Sequence, residues 1–436
     1  MKLVRRPPIL NNEFMTTHGR KNVKKGFKDC QVSYDSSGNF EFYGTSVAKE
    51  LKRLAATSVR NHEPVYLYSL AQIRHRALLF QKSLKANLEQ AVSIHFAMKA
   101  NSNLEILKLL QKLGYGIDVV SLGELKIALK AGFKPGQVVF SGVGKTTTEI
   151  TQAIKLKIFQ LNVESVPELA RVGKIADKLK IPINIGVRIN PGVNPQTHPY
   201  IATGFRENKF GIDPSQLQEV IELFKKHKNL CYQGLSLHIG SQLFDFSALA
   251  EAIQITRKID QDFEAKGLVS KKLDVGGGIG VDYKMNSEFI DVKTLSQFTE
   301  VLQKSLKGLK KKICFEPGRF ILARAGVLLS EVQYVKQTPH KNFLIINSGM
   351  NHLLRPALYQ AEHRFFPLKI NPTESNARQV YDVVGPICES SDVVGRDRSL
   401  PIMQEGDWLA IVDTGAYGYT MASHYNSFPL PKEIFA

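Results

Sequence analysis

Residue types that carry chemistry stand at the ends of several short apolar runs in this chain. Lys99 follows Ser93–Met98. His238 closes the run Gly234–Ile239, with Ser241 just after it. Gly276, Gly277 and Gly278 follow Lys272–Val275, and Glu316-Pro317-Gly318-Arg319 follows Lys312–Phe315. Taken alone, a lysine at a strand end more often reaches solvent than reacts. In a partly desolvated mouth, however, its amine is expected to have a lowered pKa and to attack a carbonyl. Glycines after a strand leave backbone N–H groups open to a phosphate. A carboxylate beside a guanidinium offers both signs of charge at one mouth.

Two look-alike motifs fail. Gly144-Lys145-Thr146 invites a P-loop reading, but the glycine that motif needs at 139 is Val. The 276–280 glycine cluster resembles a dinucleotide fingerprint, but its last required glycine falls on Val281. Asp118, Ser121 and Glu124 read as barrel-packing and capping residues, outside the site. Arg188 is open between a cavity role and a structural one. No Cys/His grouping suggests a metal site, because Cys30, Cys231, Cys314 and Cys388 form no Cys-x-x-Cys pair.

The elements that must position these groups follow a rhythm. β-rich runs at Ser93–Met98, Gly116–Val120, Gln137–Phe140, Ile158–Val163, Pro182–Ile189, Gly234–Ile239, Lys272–Val275 and Lys312–Phe315 are mostly separated by helix-length segments. Alternating β and α units imply a parallel sheet, and eight of them imply a closed (β/α)₈ barrel with active groups at the strand C-termini. An open doubly wound sheet is the alternative. Ser69 reads as an N-cap for a helix whose apolar face is Leu70, Ile73, Ala77, Phe80 and Leu84. After about residue 325 the texture becomes β-like, at Val327–Val335, Phe343–Asn347, Gln379–Val384 and Trp408–Val412. The expected organisation is a basic, mobile arm over 1–34 and a segment over 35–68 that joins the β domain. An α/β barrel over 69–325 and a C-terminal antiparallel β domain over 326–436 follow.

With 436 residues, 43% hydrophobic and 22% charged, the chain has the composition of a soluble globular protein. Its net charge of +18 is densest in the arm and elsewhere dispersed, without a basic–aromatic stripe. A solvated basic surface is therefore favoured over a nucleic-acid site. No run reaches the ~18 apolar residues of a membrane helix. Residues 1–14 lack a signal-peptide core. Unpaired cysteines suit a reducing compartment. The expectation is a cytoplasmic protein with no nucleic-acid or membrane partner.

A lysine, a histidine, a glycine-rich turn and a Glu/Arg pair facing one cavity match what pyridoxal 5'-phosphate requires: an amine for its aldehyde, a phosphate cradle, and an acid for its ring nitrogen. The same segments resemble the fold-type III pyridoxal-phosphate-dependent decarboxylases. So do Arg355-Pro356-Ala357-Leu358-Tyr359, Gly385–Asp392 and Gly415–Asn426. The resemblance runs from about residue 40 to 430. It implies that Lys99 carries the cofactor and His238 stacks on its ring. Ser241, Gly276, Gly277, Gly278, Gly318, Arg319 and Tyr417 would surround the phosphate, and Glu316 would pair with the ring nitrogen. Arg319, Arg355, Tyr359 and Tyr417 would contact substrate. It further implies a homodimer with shared sites, in which Cys388 donates a proton and Glu389 binds the distal amino group. His198 and Tyr200 resemble the family's active-site loop.

The implied reaction is decarboxylation of meso-2,6-diaminopimelate to L-lysine. Other decarboxylases of basic amino acids (ornithine, arginine, D-lysine or carboxynorspermidine), a non-catalytic regulator of the same fold and a racemase are the rivals. His424 stands where relatives usually have Asn, and Phe428 where they have Arg, which bears on substrate fit or the dimer surface. The long basic arm is a further departure.

Overall fold

The structure is a computed structural model and describes residues 31–57, 63–194, 207–284, 288–370 and 377–436. The arm expected at 1–34 lies outside the described residues except for Gln31–Tyr34. Strands β1 (Val32–Tyr34), β2 (Phe40–Phe42) and β3 (Thr45–Ser46) form a small antiparallel sheet, and β4 (Val65–Tyr68) follows.

The barrel strands are β5 (Val92–Ala97), β6 (Gly116–Val119), β7 (Val138–Phe140), β8 (Gln160–Val163), β9 (Ile183–Arg188), β10 (Leu230–Ser236), β11 (Lys272–Asp274) and β12 (Lys312–Phe315). Each pairs in parallel with its neighbours, and the β12–β5 pairing closes the ring. Several of the barrel helices are started by side chains near the strand ends. Ser69 Oγ accepts from the Gln72 N–H, as its spacing predicts. Ser121, Thr146 and Ser165 cap the helices Leu122–Lys130, Thr147–Leu156 and Val166–Leu179 in the same way. A side-chain oxygen at this position satisfies an N–H that the first helical turn leaves without a partner. Ile73, Ala77, Phe80 and Leu84 are buried, which confirms the apolar face read from the sequence.

One barrel strand departs from its reading. The run taken as Gly234–Ile239 is the end of β10, which begins at Leu230. Gly234 sits mid-strand beside a register irregularity, where a Cβ would meet the Lys272 carbonyl oxygen at 1.8 Å. Read as a strand start, that glycine hides the first half of β10. His238 therefore stands in the loop beyond the strand.

The remaining strands are β13 (Gly326–Gln337), β14 (Asn342–Ile346), β15 (Phe365–Pro367), β16 (Arg378–Val384), β17 (Val393–Pro401), β18 (Trp408–Ile411) and β19 (Lys432–Phe435). Their sheet is mixed. Most pairs are antiparallel, but β14 runs parallel to β16 and β19 parallel to β4. β4 pairs antiparallel with β13, so the chain enters this sheet, builds the barrel and returns. Alternation along these strands divides two cores. Val65, Leu67, Val327 and Leu329 face one, and Tyr66, Tyr68 and Leu328 face the other.

A buried ion network joins the two units. Arg76 on the helix Leu70–Asn87 and Arg324 share Asp291, at 3.0 Å and 2.7 Å. Arg324 and Arg364 share Asp413, at 3.2 Å and 2.8 Å. The side chains of Arg76, Arg324, Asp291 and Asp413 are at most 1% exposed. Removing one partner leaves a buried charge uncompensated, so Asp291→Ala is expected to cost roughly 3–5 kcal/mol of stability. Denaturant unfolding measures this, and a loss below about 1 kcal/mol would show that the network does not hold the units together.

Candidate active site

Lys99 stands in the single 3₁₀ turn Met98–Ala100, immediately after β5. The β domain fixes that turn: Tyr417 N–H donates to the Ala100 carbonyl at 2.8 Å, and the Thr420 hydroxyl donates to the Lys99 carbonyl at 3.1 Å. The side chain of Lys99 is open to the barrel mouth but ringed by charged groups. Its neighbours in the ring are β6 and β12, whose ends supply Asp118 and Glu316. Desolvation pulls the amine's pKa down, but Asp118, Tyr417 and Glu316 push it up, and the net direction is upward. This corrects the expectation of a lowered pKa. A strand-end lysine does not reveal in sequence that acids flank it on both sides.

Those acids crowd one another. Burial, then Asp118 and Asp274, hold the Glu316 carboxyl well above the usual carboxylate range. Asp274 is pushed up to about 6, chiefly by burial. Asp118 is likewise raised by burial, although Lys99 opposes the shift. Glu316 Oε1 is buried with no hydrogen-bond partner among the described residues. A cation or N–H placed against that oxygen would satisfy it and relieve the crowding of three acids.

The turn after β11 is built from glycine backbone. Gly276 and Gly278 have φ of 69° and 109°, which favour glycine. A Cβ on Gly277 would stand 2.3 Å from the Glu316 carbonyl oxygen, and one on Gly278 2.5 Å from the Gly240 carbonyl oxygen. The Gly276 N–H is taken by Asp274 at 2.9 Å, so this glycine shapes the turn. Gly318, at the start of the short helix Arg319–Leu322, faces Ala100 and the Tyr417 hydroxyl. The orphaned Glu316 oxygen, the glycine cradle and an amine at the mouth together fit pyridoxal phosphate.

His238 Nδ1 faces the Gly277 N–H at 3.4 Å. Burial, Lys99 and Arg188 keep its pKa well below 6.5, so the ring is neutral. Arg188 pairs with Glu164 at 2.9 Å and acts electrostatically on Lys99, His238 and Glu316, which places it at the mouth. Ser121 and Glu124 have the capping roles expected of them, with Glu124 accepting from the Val120 N–H at 2.8 Å. Asp118, left out of the site by the sequence reading, belongs beside Lys99. Its signal was an acid in an otherwise apolar barrel strand. Lys145 is structural: it is buried and bonded to the Gly142 and Asn162 carbonyls and to Glu168.

A cavity of about 430 Å³ adjoins this mouth, lined by Tyr283, Arg319, Arg355 and Tyr359 among others. Arg319 bridges the two regions. Its guanidinium donates to Ser241 Oγ at 3.0 and 3.2 Å and to the Tyr283 hydroxyl at 2.9 Å, and lies 4.7 Å from the centre of the Tyr417 ring. Neither Arg319 nor Arg355 takes part in an ion pair among the described residues, although both are buried. Cys388 is exposed in the loop between β16 and β17. Its N–H contacts Asn426 at 3.4 Å, and Tyr425 donates to the adjacent Glu389. No hydrogen bond or ion pair among the described residues joins Cys388 or Glu389 to the barrel mouth. The structure does not bring them to Lys99 within one chain. His198 and Tyr200 lie outside the described residues.

A closed barrel with this lysine, acid and glycine turn at the C-terminal ends of its strands defines a class. Residues 70–323 match the family model of the pyridoxal-dependent decarboxylase pyridoxal binding domain, and the chain belongs to that family of carboxy-lyases. Its cofactor is pyridoxal 5'-phosphate. Within the family its similar relatives are diaminopimelate decarboxylases. That of Vibrio cholerae is 44% identical, over 85% of this chain and 87% of its own. That of Helicobacter pylori is 46% identical, over 85% and 89%. A solved structure of the Helicobacter pylori enzyme, complexed with L-lysine, superposes with a TM-score of 0.80 at 43% identity. It covers 88% of this chain and 93% of that one.

Proposed function

We propose that this chain decarboxylates meso-2,6-diaminopimelate to L-lysine and CO₂, the last step of lysine biosynthesis. The observation that carries this substrate is the pair of buried guanidiniums, Arg319 and Arg355, lining a cavity beside the mouth without a carboxylate partner. A substrate with a second carboxylate supplies what they lack, by bidentate geometry. A diamino acid with a single carboxylate does not.

Pyridoxal phosphate, when bound, supplies an electron sink for the carbanion that CO₂ loss leaves. Lys99 is the amine that holds it. Glu316, backed by Asp118 and Asp274, keeps a proton at the ring nitrogen. Ser241, Gly276, Gly277, Gly278, Gly318, Arg319 and Tyr417 secure the phosphate side, with Gly276 acting through the shape of the turn. Neutral His238 offers a flat face to the ring. Arg319, Arg355 and Tyr359 orient the carboxylate that stays on the product, with Tyr417 alongside. The reaction breaks a C–C bond and forms a C–H bond, so one proton must reach the carbon. Cys388 of the partner subunit supplies it, and Glu389 of the partner subunit holds the distal ammonium.

The enzyme then works as a homodimer, in the cytoplasm. Exposed Cys388 and Glu389, unattached to their own barrel mouth, support the shared site. So do the exposed apolar side chains Val120, Val143 and Phe244, which follow β6, β7 and β10 near the barrel's C-terminal face.

The test is turnover by purified enzyme with added cofactor, measured as CO₂ and L-lysine released. The expected kcat/KM for meso-diaminopimelate exceeds those for ornithine, arginine and D-lysine by at least about 100-fold, since buried donors reject a substrate that leaves them unpaired. Equal or faster turnover of a monocarboxylate would move the assignment to that substrate. Failure to release CO₂ at all would revive the racemase or the non-catalytic regulator.

A further inference from the structure

Arg355 has an unusual partner. Its Nη1 lies 2.9 Å from His363 Nε2, and His363 Nδ1 lies 2.9 Å from the Val412 carbonyl. A guanidinium only donates and a carbonyl only accepts. His363 must therefore carry its proton on Nδ1 and offer the Nε2 lone pair to Arg355. Burial, then the charge of Arg355, keeps this imidazole neutral, and Arg319 and Arg398 act in the same direction. His363 is 0% exposed and Arg355 4% exposed.

Tyr283 completes the arrangement. Its ring centre is 4.3 Å from the Arg355 guanidinium carbon and 5.2 Å from the His363 ring, edge to face. Its hydroxyl accepts from Arg319 at 2.9 Å. Both arginines are thus held by neutral groups: an imidazole, a phenol ring and hydroxyls. Arg355 Nε remains buried without a hydrogen-bond partner among the described residues. Burial, joined by the like charge of Arg319, lowers its pKa, although Tyr283 opposes the shift. The usual way to fix a buried arginine is a carboxylate, as in the Arg324 network. Here that would cancel the charge the cavity presents.

We propose that His363 is a positioning residue that fixes Arg355 through a neutral acceptor, so that its whole charge is kept for the substrate carboxylate retained in the product. Tyr283 is the neutral platform that ties Arg355 to Arg319. The proposal rests on the dicarboxylate reading above. It goes beyond that reading by assigning the discrimination to charge preservation behind the binding residue.

Steady-state kinetics of three holoenzyme variants, with meso-diaminopimelate and with D-lysine, test it. His363→Gln keeps an acceptor for Arg355. His363→Asn keeps the bond to Val412 and loses that acceptor. His363→Glu keeps the acceptor but neutralises the charge. For meso-diaminopimelate, KM should stay within about threefold of the parent in H363Q and rise about tenfold or more in H363N and H363E. In all three, kcat should change by less than about threefold. KM for D-lysine, which lacks the second carboxylate, should not rise in any variant.

A merely structural role would raise KM for both substrates, or lower kcat, and would make H363Q no better than H363N. Either result overturns the proposal, as does an unchanged KM in H363E. If H363N does not fold, the H363Q and H363E pair decides alone. No turnover of meso-diaminopimelate by the unsubstituted enzyme would sink the substrate reading, and this proposal with it. Normal turnover with the wrong variant pattern sinks this proposal alone.

Discussion

Replacing Lys99 with alanine is expected to lower kcat/KM by on the order of 10⁴-fold or more, because the amine proposed to hold the cofactor is lost outright. The electrostatics add to the loss. Lys99 is a cation that Asp118 and Glu316 share at the mouth, ahead of Arg188 in its effect on both. Without it, the acids repel one another with less relief, and Glu316 is pushed further toward its neutral form. Lys99→Arg separates the two effects. It keeps a positive charge near Asp118 but has no amine to react with an aldehyde, so it should be as inactive as Lys99→Ala while keeping the fold better. The measurement is CO₂ release together with the cofactor's visible absorbance after dialysis. Activity of either variant within about tenfold of the parent would remove Lys99 from its assigned role.

Much of the architecture was legible because its signals are local. Eight apolar runs separated by helical spacing identify a barrel, and a serine or threonine at a strand end marks the next helix. Lys99, the three glycines and Glu316 could be found because each directly follows its strand. What could not be read depends on long-range contacts. The sign of the Lys99 shift depends on Asp118 and Glu316, which ring closure places on either side of β5. Tyr283 and His363 sit in loops with no periodic pattern, and only the fold brings both against Arg355. β17 escaped notice because Arg396, Asp397 and Arg398 interrupt it, with Arg396 and Asp397 exposed. An edge strand exposed on one side need not show the apolar run that marks a buried one. The parallel β14–β16 and β4–β19 pairs are likewise decided by connection lengths and packing, not by local residue type.

Cys388 yields the second large effect, and its position makes that effect a test of assembly. Cys388→Ala is expected to lower kcat by about 10² to 10⁴-fold, the range for losing a positioned proton donor. KM should change little, because the thiol does not hold the substrate. Among the described residues a lone chain leaves this cysteine exposed and unattached to its own barrel mouth, and in the proposed homodimer it acts across a two-fold interface. Mixing Cys388→Ala with Lys99→Ala then has a definite outcome. Once subunits exchange freely, half the dimers contain one chain of each kind. In such a dimer one site carries both defects. The other combines an intact Lys99 with an intact Cys388 and is fully equipped. About a quarter of all sites should therefore regain activity, although each parent is inactive. If Cys388 served its own chain, every site in the mixture would stay defective and nothing would be recovered. A Cys388→Ala variant as active as the parent would instead return the residue to the inert surface thiol its exposure allows. The proton would then have to come from another group at the barrel mouth, where among the described residues the Lys99 amine stands ringed by Asp118, Tyr417 and Glu316.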